Sequence, residues 1–348
     1  MLKSRIIMLG PSRSVHGGIS AVINDYYAAG LNCKVDLRYI GTMVDGNKFR
    51  KLTQACTAYV CFLFFLPFYE IIHVNMASDA SYYRKKIFID TAYFFHKKIV
   101  IHEHGGNFKA FYKGMNCRQQ DNVKKTLNKA DVFIVLSQEW KDFFSDIVTK
   151  IQIQIVHNAV PVPEKEKSVY TDHNILYLGR ICADKGMKEL LYAIDKVHTE
   201  VPDVHLYLAG NYEEKCWKTE VEKRSAYVTC TGWITGSEKE KLMQDTCSVF
   251  VLPSYYEGQP ISLMEAMSYG MAPVSSNIGG ITEMMSETEG ISVPIKDARA
   301  LTEALRQIIC DTGIKRAFGT ASRKKIIDEY NIDETIDRLC EIYSELSR

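Results

Sequence analysis

Short apolar runs rich in β-branched residues recur along the chain, and segments with helical periodicity separate them. The runs lie at 5–10, 34–40, 70–75, 98–104, 131–137 and 151–158, and again at 174–179, 204–210, 248–253, 272–276 and 291–295. Strands that alternate with helices form parallel sheets joined by crossover helices. The pattern therefore predicts an α/β protein with two doubly wound, Rossmann-like domains that face each other across a cleft.

A change of composition marks the boundary between the two groups of runs. The segment PVPEKEKSVYTDHN, residues 161–174, combines two prolines with a cluster of charges, as linkers often do. We therefore predict domains over 1–160 and 161–330. Residues 331–348 carry apolar side chains at helical spacing, which predicts a final amphipathic helix.

The composition fits a protein with two cores, since 46% of its 348 residues are hydrophobic. The opening MLKSRIIMLG is too short an apolar run for a signal peptide and is expected to form a strand. The ten cysteines form no CxxC pair, so a zinc site is disfavoured and reduced thiols in the cytoplasm are expected.

Charge is distributed unevenly between the two halves. Residues 1–150 carry 21 Lys+Arg against 12 Asp+Glu, a balance of +9, whereas residues 151–348 carry 22 against 30, a balance of −8. A basic half favours an anionic partner, either a membrane surface or a phosphate group. Uneven surface charge without any partner is the alternative, and nucleic acid is not among the expected partners.

The apolar run ACTAYVCFLFFLPFY, residues 55–69, raises the question of a membrane. It is shorter than the roughly 20 residues that a spanning helix needs, and Pro67 and Glu70 end it. Lys48, Arg50 and Lys51 come just before it, and a basic cluster beside an aromatic, apolar segment is typical of an interfacial helix. We expect peripheral attachment to anionic lipid, with a helix buried on the first sheet as the alternative.

Several polar residues follow the predicted strands, where parallel sheets bind their ligands. Gly17 and Gly18 precede a helix after the first run and would let backbone N–H groups approach a phosphate or sugar. Arg180 and Lys185 follow the run at 174–179, and two cations there suit a diphosphate. A plain loop and an ordinary exposed pair are the respective alternatives.

The stretch EGQPISLMEAMSYG, residues 257–270, places two glutamates in otherwise uncharged surroundings. It predicts a helix with Pro260 at the first position and left-handed Gly270 just after the end. Glu257 lies at the carboxyl end of a strand, and Glu265 lies within an apolar helix. A carboxylate in such a helix needs a hydrogen-bonding partner.

These motifs together resemble one enzyme family. EGQPISLMEAMSYGMAPVSS followed by NIGGITE resembles the E-x7-E region of retaining glycosyltransferases of family 4, which have the GT-B fold. GRICADKG resembles the family's phosphate-binding segment, HGGI its glycine loop, and IVHNAV its interdomain N-G-V segment, with Ala159 in place of glycine. IHEHGGNFKAFY resembles the histidine segment of capsule and O-antigen enzymes, so the resemblance points to the bacterial capsule, O-antigen or exopolysaccharide type.

The resemblance implies a role for each candidate residue. Glu265 would bind the ribose hydroxyls of a nucleotide-sugar, which would supply its missing partner, and Glu257 would contact the transferred sugar as a catalytic residue. His104 would be the second catalytic residue, near that sugar, although His102 would point the same way from a strand. The donor-binding set is Gly17, Gly18, Arg180, Lys185, Gly258, Ile261, Ser262 and Glu265, with the diphosphate on Arg180 and Lys185 and near the main-chain N–H groups of Ile261 and Ser262.

The implied activity is that of a retaining, hexosyltransferase-type enzyme. It would move a sugar from a nucleotide-diphosphate donor to a hydroxyl of a glycan or polyprenyl-linked saccharide in surface polysaccharide biosynthesis. The alternatives are a phosphorylase, a nucleotide-sugar epimerase or a catalytically silent GT-B scaffold. The sequence contains no D-x-D motif, so we expect no metal and no cofactor besides the donor substrate. The family resemblance also implies that the last helix crosses back onto the first domain, and that the protein is cytoplasmic, peripheral at the inner face of the membrane.

Overall fold

The computed structural model describes residues 3–348, which divide into two compact units. Unit 1 comprises residues 3–159 together with 332–348, and unit 2 comprises residues 160–331. The change from one unit to the other falls within the IVHNAV segment, between Ala159 and Val160. The helix that ends the chain therefore belongs to unit 1, although all of unit 2 precedes it in the sequence.

Unit 1 is built on a six-stranded sheet with helices in each crossover. Its strands are β1 (Arg5–Gly10), β2 (Asp36–Gly41), β3 (Ile71–Met76), β4 (Lys98–Glu103), β5 (Val132–Val135) and β6 (Ile153–Ile155). Its helices are α1 (Gly18–Ala28), α2 (Leu31–Lys34), α3 (Lys48–Phe65), α4 (Ala80–Phe94), α5 (Phe108–Lys113), α6 (Cys117–Leu127), α7 (Gln138–Ser145) and, at the end of the chain, α15 (Ile332–Leu346).

Unit 2 repeats this plan with a second six-stranded sheet. Its strands are β7 (Asn174–Leu178), β8 (His205–Ala209), β9 (Val228–Cys230), β10 (Val249–Leu252), β11 (Ala272–Ser276) and β12 (Ile291–Val293). Its helices are α8 (Met187–Glu200), α9 (Lys215–Glu222), α10 (Gly236–Lys241), α11 (Ile261–Ser268), α12 (Ile281–Met284), α13 (Ala298–Cys310) and α14 (Thr312–Glu329). A π-helical turn, Leu242–Thr246, follows α10.

Strand order fixes where each sheet can bind a ligand. All strand pairs are parallel, in the orders β2-β1-β3-β4-β5-β6 and β12-β11-β10-β7-β8-β9. The chain reverses its direction across the sheet between β1 and β3 in unit 1, and between β7 and β10 in unit 2. Ligands of such sheets bind at these switch points, outside the carboxyl ends of the strands. We call that side of each sheet its carboxyl edge.

The predicted strands and their parallel arrangement are confirmed, with one omission. Each predicted run contains a strand, but β9 was not predicted because VTC is short, lies at the edge of its sheet and has little apolar character. The predicted helix at 260–269 begins one residue later, since Pro260 has an extended ψ and is the N-cap. Gly270 is left-handed, with φ +74, as expected.

The apolar run at 55–69 forms part of a helix that is buried on one face only. Ala58, Phe62 and Leu66 pack into the core of unit 1, whereas the opposite side of α3 is exposed. The helix is therefore packed on the first sheet, as the alternative predicts, but along one face only. The helical segment Lys48–Phe68 is long and apolar enough to cross a membrane by length and composition, but few of its residues are buried. Because one face of this helix packs on the sheet of unit 1, the helix is part of that folded domain.

Candidate active site

The donor-side residues predicted from sequence gather at the switch point of unit 2. Arg180 follows β7, and Glu257 follows β10, its neighbour in the sheet. Lys185 ends a short 3₁₀ turn before α8, and Glu265 lies on α11. The carboxyl edge of this sheet thus carries two cations and two carboxylates.

Arg180 is held by a carboxylate that the sequence did not indicate. Its guanidinium donates to Glu213, which lies in the loop after β8. Burial opposes the charge on Arg180, but the hydrogen bond and the charge of Glu213 outweigh it and raise the pKa of the guanidinium. Both side chains are about half exposed. The guanidinium is therefore permanently charged and reachable by an anionic ligand.

Lys185 and Glu257 form a more protected ion pair. Lys185 Nζ lies 2.5 Å from Glu257 Oε1, and the side chains are only 19% and 12% exposed. The loop around Lys185 depends on Gly186, whose φ is +69 and whose place leaves no room for a side chain, because a Cβ there would lie 2.0 Å from the Pro253 carbonyl oxygen. The fold thus brings together Lys185, which is predicted to bind the phosphate, and Glu257, which is predicted to bind the sugar.

Glu265 has a protein partner in this structure. Lys239 Nζ, on α10, lies 2.5 Å from Glu265 Oε1. The family resemblance predicts ribose hydroxyls as the partner of Glu265, and the sequence gives no indication of Lys239. The segment GSEKEK, residues 236–241, has the pattern of an ordinary solvated helix, and nothing in that pattern singles out Lys239.

The start of α11 presents main-chain donors at the same edge. Its N-cap, Pro260, makes no side-chain hydrogen bond, and the first N–H groups of a helix have no partner within the helix. Ile261 and Ser262 provide these groups. The preceding loop is held by the two glycines of NIGGITE, since a Cβ at Gly280 would lie 2.1 Å from the Gly258 carbonyl oxygen.

In unit 1 the predicted glycines lie at the start of α1. Gly17 is the N-cap and Gly18 the first helical residue. Within the described residues, a Cβ built on either glycine meets no atom within 4 Å. The protein itself does not require glycine at these positions. They fit a loop that a ligand approaches closely.

His104 follows β4 and continues its pairing with β3. Its main-chain N–H donates to the Met76 carbonyl at 2.8 Å, and its ring Nε2 lies 2.9 Å from Asn75 Oδ1. The Asn75 amide is oriented by its Nδ2, which donates to the Leu9 carbonyl at 3.2 Å. Oδ1 must therefore accept, which assigns the proton of a neutral His104 to Nε2 and leaves Nδ1 as the acceptor.

Two further histidines continue this polar cluster into the core. The His102 ring lies 4.0 Å from that of His104, and His73 Nδ1 lies 2.6 Å from the hydroxyl of Tyr343 on α15. Burial lowers the pKa of both His73 and His104 to about 3, and that of His102 well below its usual value. All three rings are therefore neutral at physiological pH. In the sequence, the signal for His73 is that it is the one histidine within the apolar strand EIIHVN.

Glu103 is a second residue that sequence reasoning missed. It is buried at the end of β4, on the strand face opposite His102 and His104, and its Oε1 accepts from the Gly105 N–H at 2.8 Å. Burial raises the pKa of this carboxyl group well above its usual value, against the opposing effect of that hydrogen bond. Glu103 thus fixes the glycine loop that follows His104.

The sequence of unit 2 matches a known family model. Residues 162–325 match the model described as Glycosyl transferases group 1. Glycogen synthase of Mycobacterium tuberculosis is 22% identical over 253 residues, which cover 70% of this chain and 61% of the synthase. The chain therefore spans less than two thirds of that relative. The GDP-mannose:cellobiosyl-diphosphopolyprenol alpha-mannosyltransferase of Xanthomonas oryzae is 25% identical over 264 residues, which cover 70% of this chain and 68% of that enzyme.

Solved structures resemble this chain over nearly its whole length. Sucrose-phosphate synthase from Thermosynechococcus elongatus has a TM-score of 0.83 at 17% identity and covers 99% of both chains. Anabaena HepE in complex with UDP and glucose has a TM-score of 0.78 at 14% identity and covers 98% of this chain and all of its own. At these identities the likeness concerns the fold, and it confirms the predicted GT-B architecture. Residues 162–325 thus match the glycosyl transferases group 1 model, in a chain of GT-B fold.

Proposed function

We propose that this protein is a retaining glycosyltransferase that takes its sugar from a nucleotide-diphosphate donor bound by unit 2. The observation that carries the proposal is the grouping of Arg180, Lys185, Glu257 and Glu265 at the switch point between β7 and β10. The cations fit a diphosphate and the carboxylates fit sugar hydroxyls. HepE, a structural neighbour, was solved with UDP and glucose.

Donor binding in this proposal exchanges internal ion pairs for contacts with the ligand. The diphosphate takes Arg180 from Glu213 and shares Lys185 with Glu257. Ribose hydroxyls donate to Glu265, and hydroxyls of the transferred sugar donate to Glu257. Each carboxylate can accept several hydrogen bonds, so Glu257 keeps Lys185 as a partner while it binds sugar.

The chemical step requires stabilisation of a departing diphosphate. The bond between the anomeric carbon and the phosphate oxygen breaks, and the acceptor oxygen forms its bond on the same face. The acceptor proton passes to the departing phosphate. Negative charge that develops on the diphosphate is met by Arg180, Lys185 and the first N–H groups of α11. We propose that these groups act without a metal ion or cofactor.

In unit 1, the proposal assigns His104 to the active site. Its ring is neutral and is held in place through Nε2 by Asn75. A role as a cation is disfavoured because the pKa of His104 is lowered to about 3. Gly17 and Gly18, at the start of α1, would let the backbone of unit 1 approach the donor.

The acceptor class follows from the surface of unit 1. Among the described residues, sixteen large hydrophobic side chains are exposed, and eleven of them lie on two neighbouring segments. We call these the α3–α4 face: Phe49, Leu52, Val60, Leu63, Phe64 and Phe68 on α3 and the turn after it, and Tyr83, Ile87, Tyr93, Phe94 and Phe95 on α4 and just after it. The helices pack together, since the Phe62 and Phe88 rings lie 5.1 Å apart.

We propose that the α3–α4 face attaches the protein to an anionic membrane and that the acceptor is a lipid-linked saccharide. An exposed apolar area of this kind marks an interaction surface. The exposed cations Lys48, Arg50 and Lys51 at the start of α3 complement anionic headgroups, each contributing on the order of 1 kcal/mol. The relative from Xanthomonas oryzae is named for a diphosphopolyprenol acceptor. A cytoplasmic protein, peripheral at the inner face and serving surface polysaccharide synthesis, fits these features.

The donor assignment is tested by a thermal-shift screen of nucleotide-sugars, followed by turnover with the best ligand. A donor that binds the folded protein raises its melting temperature by mass action. We expect one nucleotide-sugar to do so and to release its nucleoside diphosphate when an acceptor is present, with excess chelator having no effect. Absence of any stabilising nucleotide-sugar would contradict the donor site, and loss of turnover in chelator, restored by a divalent ion, would contradict the metal-free mechanism.

A further inference from the structure

Lys239 is less exposed than an ordinary surface lysine and is paired with a carboxylate. Its ammonium lies 2.5 Å from Glu265 Oε1, and the two side chains are 29% and 18% exposed. Most ion pairs among residues 3–348 join side chains that are more exposed, such as Lys165 with Asp245. Exposed pairs contribute little to stability, whereas a partly desolvated pair fixes both of its members.

The backbone that follows Lys239 is irregular. Helix α10 runs directly into the π-helical turn Leu242–Thr246, which leads to β10. Single π turns within helices are frequent at functional sites. The segment before β10 thus supplies Lys239, and the helix after β10 supplies Glu265, so that the pair bridges the two sides of one strand.

The chemistry of a ribose diol explains why a lysine at this place matters. The two hydroxyls of a ribose donate best to a carboxylate that is ionised and held in one orientation. Lys239 occupies Oε1 and holds the carboxylate in one orientation, which leaves Oε2 and the second lone pair of Oε1 for the ribose. Without Lys239, Glu265 would be a partly buried carboxylate in an apolar helix, free to rotate.

We propose that Lys239 is a positioning residue of the donor site, which acts on the ribose through Glu265. The inference rests on the proposed function, because it takes the ligand to be a nucleoside diphosphate. It predicts that Lys239 affects binding only of ligands that carry ribose hydroxyls. It also predicts that the ammonium matters as a charge, so that arginine can replace it.

The test uses calorimetry with UDP and GDP on the full chain, with whichever binds the wild type carried forward. We expect Lys239→Met to raise the dissociation constant on the order of tenfold, as for a lost hydrogen bond to a charged group. Lys239→Arg should stay within about threefold of the wild type on the same grounds. Lys241→Met, which removes an exposed lysine from the same helix, is the matched control and should change nothing.

Two further measurements separate positioning from a general loss of structure. With the 2′,3′-dideoxy analogue of the same nucleotide, Lys239→Met and the wild type should bind alike. In a double-mutant cycle, Lys239→Met should cost almost nothing once Glu265→Gln is present, because both act on one interaction. Equal weakening with the dideoxy analogue, or additive effects in the cycle, would overturn the proposed role.

The outcomes also distinguish this inference from the proposed function. A wild type that binds neither UDP nor GDP, nor any other nucleoside diphosphate, would contradict the donor site itself, and the role of Lys239 with it. A wild type that binds while Lys239→Met binds equally well or more tightly would contradict the role of Lys239 alone.

Discussion

The two units share one architecture, yet they hold their polar groups at the carboxyl edge in opposite ways. Unit 2 uses ions in pairs: Lys185 with Glu257, and Lys239 with Glu265. Unit 1 places the neutral ring of His104 at this edge, and His73 and His102 continue the cluster into the core, where burial suppresses protonation. The edge of unit 2 therefore suits a charged ligand, whereas the edge of unit 1 suits an uncharged one.

Paired ions suit a charged ligand because they can exchange partners without leaving a charge buried alone. A diphosphate can replace Glu213 on Arg180, and sugar hydroxyls can add to a carboxylate that keeps its lysine. Neutral imidazoles suit an uncharged ligand, since they offer hydrogen bonds without attracting a counterion. Unit 1 also carries the exposed α3–α4 face, which adds an apolar surface to its neutral edge.

The largest effect is expected from Lys185→Met in unit 2. The change removes a cation from the departing diphosphate and leaves Glu257 partly buried without its partner. We expect kcat/KM to fall by roughly 10²–10³, the range seen when one preorganised donor to developing charge is removed. Lys188→Met, at an exposed position on α8, is the control. If Lys185→Met and Lys188→Met had the same kcat/KM, the ion pairs of unit 2 would have no role in catalysis.

Charged substitutions on the α3–α4 face should weaken membrane binding. Phe64→Asp and Phe94→Asp place a charge on side chains that are 67% and 75% exposed. Each should lower the binding constant for anionic liposomes, measured by sedimentation, about thirtyfold, given roughly 2 kcal/mol for burying a phenylalanine. Ile327→Asp, on α14 of unit 2, should have no effect.

Salt and lipid composition sharpen the same test. Wild-type binding should weaken as salt screens the cations, and should be weaker on neutral liposomes. If the wild type fails to bind either kind of liposome at low salt, the face does not bind membranes and the acceptor is soluble.

Acid should destabilise unit 1 through its histidines. The pKa of His104 is about 3 in the folded state and about 6.5 when unfolded, so the unfolded state binds more protons between these values. Stability is therefore complete above about pH 6.5 and falls by about 1.4 kcal/mol for each pH unit and each such histidine as pH decreases towards 3. His104→Gln should reduce this slope by one histidine.

Tryptophan fluorescence can assign that loss to unit 1. Trp140 lies on α7, whereas the other two tryptophans, Trp217 and Trp233, lie in unit 2. Urea unfolding at pH 7 and pH 5 in a Trp217→Phe, Trp233→Phe background therefore follows unit 1. The exposed His16→Gln is the control. A slope that His104→Gln leaves unchanged would mean that the histidine cluster is protonated in the folded state.

The smallest effect is expected from Glu213→Gln. This change frees Arg180 from an ion pair whose members are both about half exposed, and such pairs are worth about 0.2–1 kcal/mol. We expect the dissociation constant of a nucleoside diphosphate to fall by about two- to fivefold, since the ligand no longer competes with Glu213. Calorimetry beside Glu214→Gln checks it, and weaker binding would show that Glu213 positions the guanidinium for the ligand.

The sequence predicted the fold because strands and helices depend on local patterns, whereas the roles of the candidate residues stay predictions. Apolar runs and the residues that follow them located the strands and the carboxyl edges. The partners of those residues were not predictable, since Glu213 and Lys239 lie 33 and 26 positions from the side chains they hold. The α3–α4 face was predicted only in part, because the contribution of α4 depends on which of its sides the sheet covers.

The anomeric configuration of the product tests the central claim most directly. Proton NMR during the first minutes of the reaction with the donor identified by thermal shift would record the new glycosidic bond before any rearrangement. The account predicts a product with the configuration of the donor, together with one equivalent of released nucleoside diphosphate. An inverted product, or no transfer from any donor that binds, would contradict it.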